Sequence, residues 1–417
     1  MAIRIFPNGL RLGVQETESE RLVCIAVHII GGSQSETNYQ SGVGEFLSRM
    51  LTQGTVNYPS RELLLNRFKQ DGIIFDSDCK AENLLLTALC QVDRVENAID
   101  LLSEVLFKSN FTIESANDVR NEMLGDIFAL SDSPSYQLTK LTNNAMFSRT
   151  GLANPRFGTT TTIERMKADD AKDYLSKLLT PKNTIITVAG NIDPDDIYEI
   201  VMKKFYSQFI EHTDYKKLKY VAHVDNVKQN VITRNKKLNQ SRIMISFPSA
   251  DYRHIKRNAL AIALPIVLRN LQQVTSNLRY YHNEVIDQKK YAANGKLSFE
   301  LIVDGEHALE YLDVITNYLK HHVYEIEDET YELEKNVYMT SILEKYDNVK
   351  NLAIKLAKEI AIKKQQFSLN SELLNVSMMS ADDAREILKE TINMDNATVC
   401  YLGAPMDEED IQKIINS

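Results

Sequence analysis

A stretch near the middle of the chain returns near its end at a fixed distance. "MKADDAKDYLSKLLTPKNTIITVAG", from Met166, and "MMSADDAREILKETINMDNATVCYLG", from Met378, carry matching residues 213 positions apart: Ala168 and Ala381, Asn183 and Asn396, Gly190 and Gly403, with no gap between them. In each copy two acids (Asp169 and Asp170; Asp382 and Asp383) open an apolar-periodic helix that leads into a β-rich run. Acids at a helix start complement its dipole, and Ser380 with Asp383 three residues on reads as a capping box. A repeat of this length restricts the chain to a fold built from two similar halves.

Other segments follow the same division. "LLLTALCQVDRVENAIDLLSEVLFK" (84–108) reads as strand, turn and amphipathic helix, and "LSFELIVDGEHALEYLDVITNYLKHH" (297–322) repeats that order at nearly the same offset. "VCIAVHIIGG" (23–32) and "RIMISFPSA" (242–250) are strands that lead into a loop and a helix. Strands arriving in pairs among long helices predict an α+β fold of two homologous halves, each a mainly antiparallel sheet covered by helices on one face. The polar stretch 211–230 has no apolar period, so the expected division is a half over 1–212, a linker over 213–227 and a second half over 228–417. At 417 residues each half is long enough for its own core.

The net charge of −9 and pI near 5.5 argue against a nucleic-acid or anionic-membrane surface. No apolar run reaches the roughly 20 residues of a membrane span, and "MAIRIFPNGLRLGV" has neither the charged and apolar regions of a signal peptide nor a transit peptide's Arg/Ser bias. The expectation is a cytoplasmic protein with no membrane partner. Cys24, Cys79, Cys90 and Cys400 occur singly and read as buried free thiols, with Cys79 and Cys90 placed to face each other across a hairpin.

The chemistry turns on "GVGEFLSRMLTQGT" (42–55). Glu45, Ser48 and Arg49 fall at i, i+3 and i+4 and share one helix face. A zinc hydrolase would need two imidazoles at the first and last of these positions and a glutamate beside them to take a proton from the bound water. "SGVGEFLSRMLTQGTVNYPSRELL" resembles the signature of the inverted-zincin peptidases, the family of insulin-degrading enzyme, pitrilysin and mitochondrial processing peptidase, which is G-x-x-H-F-L-E-H-M-x-x-x-G-T. Gly42, Phe46, Leu47, Met50, Gly54 and Thr55 match. Glu45 and Arg49 stand where that family has its histidines, and Ser48 where it has its catalytic glutamate.

The resemblance extends over essentially the whole chain. In "VRNEMLGDIFALSDSP" (119–134) it places Val119 at a supporting glutamate and Asp126 at the third zinc-ligating glutamate. Around the family's R-x-x-x-G-L-x-Y stretch it makes Arg279 a candidate substrate contact, while the Gly-Leu-x-Tyr is missing and Tyr280, Tyr281 and Tyr291 align with no unique partner. It implies no catalytic residue, no cofactor and no metal in this chain, with zinc expected only in an active partner.

Arg49 is always protonated and offers no acceptor, so it opposes a dication, and Ser48 supplies no general base near neutral pH. Two arrangements fit these residues: Arg49 standing between Glu45 and Asp126 in a metal's place, or all three pointing to solvent from a remodelled cleft. His321 and Glu325 share a helix face but read as solvated surface, and the other histidines, His28, His212, His223, His254, His282 and His307, are scattered. Gly31-Gly32 reads as a turn, and 325–364 as a covering helix pair. Four readings are compatible: a non-catalytic subunit that pairs with an active zinc peptidase of the same family and helps enclose peptides, a stand-alone peptide-binding or scaffold homodimer, a peptidase with an unconventional site, and an unrelated function on the same fold.

Overall fold

A computed structural model describes residues 3–17, 21–148, 150–209, 217–224 and 227–417. His212 and, within the expected linker, 213–216 and 225–226 lie outside the described residues. Among these described residues the first sheet has six strands: β1 (Arg4–Ile5), β2 (Arg11–Glu16), β3 (Leu22–Ile30), β4 (Ile74–Cys79), β5 (Asn83–Gln91) and β6 (Thr184–Gly190), in the order β1-β2-β6-β3-β5-β4. The second has five: β7 (Asn230–Asn235), β8 (Gln240–Pro248), β9 (His282–Lys290), β10 (Gly295–Asp304) and β11 (Thr398–Gly403), in the order β7-β11-β8-β10-β9. Position for position, β2-β6-β3-β5-β4 and β7-β11-β8-β10-β9 are one plan. Each holds a single parallel pair, β2 with β6 and β7 with β11, and is otherwise antiparallel.

The cover is on both faces of the first sheet, not one as expected. The apolar runs of β3 and β6 are the cause: β3 is buried from Val23 to Ile30 and β6 along its whole length, the pattern of a strand enclosed on two sides. Alternate side chains, Val23, Ile25, Val27 and Ile29, enter the main core with helix Val95–Phe107. The opposite face meets helix Val349–Ile362, where the Thr187 hydroxyl donates to the Ala353 carbonyl at 2.8 Å. At Gly13 a Cβ would come within 2.4 Å of Ile360 Cδ1, so the helix approaches this closely only over glycine.

Two compact units result. The first comprises Met1–Ala129, Asn154–Tyr220 and Leu343–Ser368; the second comprises Leu130–Ala153, Val221–Ile342 and Leu369–Ser417. Helix Val349–Ile362, from late in the sequence, therefore completes the first unit. Helix Pro134–Met146, from early in the sequence, lies on β8 and β11 of the second, with Leu138 packed among Met244, Cys400 and Leu402. The stretch 325–364 forms the helices Asp328–Asp347 and Val349–Ile362.

All four cysteines are buried and free. The strand register separates the pair expected to face each other: Cys79 lies opposite Leu84, and Cys90 opposite Val23. Among the described residues no helix is long and apolar enough to cross a membrane.

Candidate functional site: an arginine among converging carboxylates

The motif residues form helix Val43–Met50, packed on β4 and on helix Ala168–Leu178. It starts at Gly42, whose φ of 92° is a left-handed turn open to glycine. The first amides lack intrahelical partners; Glu36 accepts from the Gly42 N–H at 2.8 Å through one oxygen and from the Gly44 N–H at 2.9 Å through the other. Burial pushes the Glu36 carboxyl up to about 8, although those two amide bonds pull it down.

Val43, Phe46, Leu47 and Met50 enter the core, which turns Glu45, Ser48 and Arg49 toward the far face. There Arg49 Nε donates to Glu45 Oε1 at 3.0 Å and Nη2 to Asp126 Oδ2 at 2.6 Å. Asp126 comes from helix Ile113–Ser131, which also brings Glu122 to 3.5 Å from Nη1. Of the two arrangements left open by the sequence, the molecule adopts the ion pair. Arg49 is 17 % exposed and Glu45 7 %, whereas Asp126 at 45 % and Glu122 at 52 % reach solvent, so the inner pair is the shielded one. Burial opposes the Arg49 charge, but the bonds from Asp126 and Glu45 outweigh it and raise its pKa.

A second guanidinium closes the network. Arg156 Nε donates to Glu45 Oε2 at 3.0 Å, and Nη2 reaches Asp78 on β4. Glu45 thus lies between two arginines, and both lie against the Phe157 ring, at 5.8 and 5.4 Å from its centre. Ser48 shares a hydrogen bond of 3.1 Å with Ser77 of β4, and Val119 is fully buried in the apolar core.

This donor set does not fit a zinc ion. The guanidinium fills the space between Glu45 and Asp126, has no lone pair to give, and already supplies the positive charge those carboxylates require. Ser48 is a hydroxyl paired to the Ser77 hydroxyl, and a hydroxyl supplies no general base near neutral pH. Among the described residues no group of three or more His, Cys, Asp or Glu is arranged to hold a metal ion.

Glu36, Asp78, Glu122, Arg156 and Phe157 were missed by sequence reasoning. Glu122 had a signal, since it stands at i−4 from Asp126 and must share its helix face. Asp78, Arg156 and Phe157 arrive from distant segments and had none, and neither had Glu36, six residues ahead of Gly42. Arg279 belongs to the second unit, exposed in the loop ahead of β9. Tyr280 stacks on His307 at 4.1 Å, Tyr281 is exposed, and Tyr291 meets Phe147 edge-on. His322 Nδ1, rather than its neighbour His321, lies 3.1 Å from Glu325 on an exposed helix end.

The family comparison agrees with this frame. The family model "Insulinase (Peptidase family M16)" matches residues 12–160, and "Peptidase M16 inactive domain" matches 165–338. An uncharacterized zinc protease, YmxG, of Bacillus subtilis is 26% identical over 59% of this chain and 59% of its own length. The mitochondrial-processing peptidase subunit beta of Dictyostelium discoideum is 23% identical over 49% and 43%. The matched regions thus span about three-fifths or less of these relatives. A crystal structure of a peptidase M16 inactive domain from Pseudomonas fluorescens has the same fold, with a TM-score of 0.87 at 15% identity over 97% of this chain and 98% of that one. With the motif frame, the doubled sheet plan and both family models in agreement, the chain belongs to the insulinase family, peptidase family M16.

Proposed function

We propose that this chain is a non-catalytic member of its family, which pairs with an active zinc peptidase subunit and helps enclose and hold peptides for it. The observation that carries the reading is the Arg49 guanidinium bonded to both Glu45 and Asp126, a fixed cation built into the place of a dication. Two further features support it. Among the described residues strand β4 pairs with β5 alone and lies beside the motif helix, so an extended peptide could add to its outer edge through main-chain hydrogen bonds. A relative of this chain is named as one subunit of a processing peptidase. A cytoplasmic setting belongs to the same proposal, since a reducing compartment keeps thiols such as these four free.

The test is to purify the chain alone and together with a family member that has an intact H-x-x-E-H motif. Zinc content and cleavage of unfolded peptides are then measured with and without chelator. The expected result is chelator-sensitive cleavage that the mixture performs and the lone chain does not. Stoichiometric zinc together with chelator-sensitive cleavage by the lone chain overturns the reading.

A further inference from the structure

Among the described residues the repeated sheet plan shows one edge covered by a further strand in the first unit and by none in the second. In the first, β1 lies antiparallel outside β2, with Arg4 opposite Leu12 and Ile5 opposite Arg11. Arg4 forms an ion pair with Asp195, on helix Pro194–Lys204, and its guanidinium lies 4.8 Å from the centre of the Tyr198 ring. In the second unit β7 is the outermost strand among the described residues. Beside it runs helix Glu408–Asn416, and between them opens a groove of about 740 Å³.

Register makes the correspondence residue by residue. Arg11 and Leu12 pair with Ile185 and Ile186 of β6; Asn230 and Val231 pair with Thr398 and Val399 of β11, 213 positions further on. Asn230 and Val231 thus hold the places of the two residues that β1 covers, and both line the groove. The same offset carries Asp195, which holds Arg4, onto Glu408, followed by Glu409.

The backbone is oriented to accept a strand. Asn230 N–H bonds inward to the Ala397 carbonyl, so by alternation the amide and carbonyl of Val231 face the groove. Thr233, two residues on, also faces outward, and its N–H is capped by Glu408 Oε1 at 3.1 Å. The cation in the lining, Lys413, is paired with Asp410 at 3.0 Å, which leaves the groove acidic through Glu408 and Glu409.

We propose that this groove binds an extended, basic peptide segment of a partner, which adds as a strand antiparallel to β7. A Lys or Arg opposite Val231 would pair with Glu408 and Glu409, as Arg4 does with Asp195 in the first unit. The site lies on another edge from the peptide-binding strand proposed above and stands independently of it.

The probe is a fluorescein-labelled, end-blocked peptide IRIFP, which carries the Arg4–Ile5 strand that fills the equivalent edge, titrated by fluorescence anisotropy against the full chain. Val231→Pro removes the outward N–H without touching the ladder to β11 and is expected to weaken binding about tenfold, the value of one hydrogen bond near 1.4 kcal/mol. The double variant Glu408→Gln/Glu409→Gln, which keeps an acceptor for Thr233, is expected to weaken it about two- to fivefold, as is a peptide with Gln in place of Arg. Absence of saturable binding overturns the proposal, as does affinity unchanged by Val231→Pro in a variant with wild-type circular dichroism and melting. Should Val231→Pro fail to fold, unchanged affinity in the glutamine double variant overturns it instead.

Discussion

The two sheets fill one central position in opposite ways. Register carries His28 of β3, opposite Ile185, onto Ser246 of β8, opposite Thr398. Ser246 faces Ser298 across the ladder, and the two buried hydroxyls bond to each other at 2.8 Å. His28 faces Leu85, and its Nε2 is buried with no hydrogen-bond partner. The helices beside the edge strands differ as widely. Val43–Met50 packs on β4 and carries the Glu45–Arg49 network; its counterpart, the 19-residue Arg257–Thr275, packs on β9 and has Arg257 Nη2 at 3.1 Å from both oxygens of Glu372. Duplication has thus kept strand order and apolar frame, while the buried polar groups are settled locally: Arg49, Arg257 and Ser246 are paired, and His28 Nε2 goes unpaired on a ring that burial keeps neutral. That is what packing physics expects, because apolar area is interchangeable whereas an unpaired buried charge is not.

The largest effect should come from removing what the halves exchange. A fragment of residues 1–225 contains every strand of the first sheet but lacks helix Val349–Ile362, which covers β2, β3 and β6 and gives Arg11 an acceptor at the Ile360 carbonyl. With a central face exposed, a fold of ordinary marginal stability is lost. The fragment is expected to melt without a cooperative transition in calorimetry, and the same fragment linked to residues 343–368 to regain one. A cooperative transition in the short fragment would show that one-sided cover is enough.

Arg49→Ala tests whether the motif helix depends on its ion network more than its counterpart depends on Arg257. It strips Asp126 of its cation and leaves the buried Glu45 to Arg156 alone. Breaking a wholly buried pair costs roughly 3–5 kcal/mol; with Asp126 and Glu122 near solvent, about 2 kcal/mol is expected in urea unfolding. Arg49→Lys should lose less, keeping the charge without the two-armed geometry. A change below a few tenths would make the network a surface ornament.

The smallest effect is a pH slope at the central position. Burial, then the charges of Lys358, Arg11 and Lys80, hold His28 neutral, with its pKa lowered from 6.5 to about 3. As pH falls below about 6.5 the unfolded chain binds a proton that the folded chain refuses, so stability is kept above that pH and drains away toward about 3. The limiting slope is about 1.4 kcal/mol per pH unit. His28→Ser, which copies the second sheet, should flatten the stability profile between pH 6.5 and 5.5 by about 1 kcal/mol. An unchanged profile would assign that slope to other groups.

Much of this molecule was legible in its sequence. The 213-residue offset announced the doubled plan, because matching strands need matching apolar runs. The frame Gly42, Phe46, Leu47, Met50, Gly54 and Thr55 placed the motif helix, since each answers to local geometry or core packing. Helical spacing put Glu45, Ser48 and Arg49 on one face. Glu36 and Arg156 were not legible, because nothing in their own segments says that 36 will cap a helix starting six residues later or that 156 will reach Glu45 across 111 positions.

By itself the sequence determined the elements, their repetition and the replacement of both motif histidines and the motif glutamate by Glu45, Arg49 and Ser48. Those are properties of residue type and short spacing, written along a line. Only the tertiary structure decided that Arg49 bridges two carboxylates rather than facing water, that late helix Val349–Ile362 completes the early sheet, and that among the described residues no strand covers β7 as β1 covers β2. Each of these depends on segments that meet through long loops, where chain connectivity restricts the partners but packing and charge select among them.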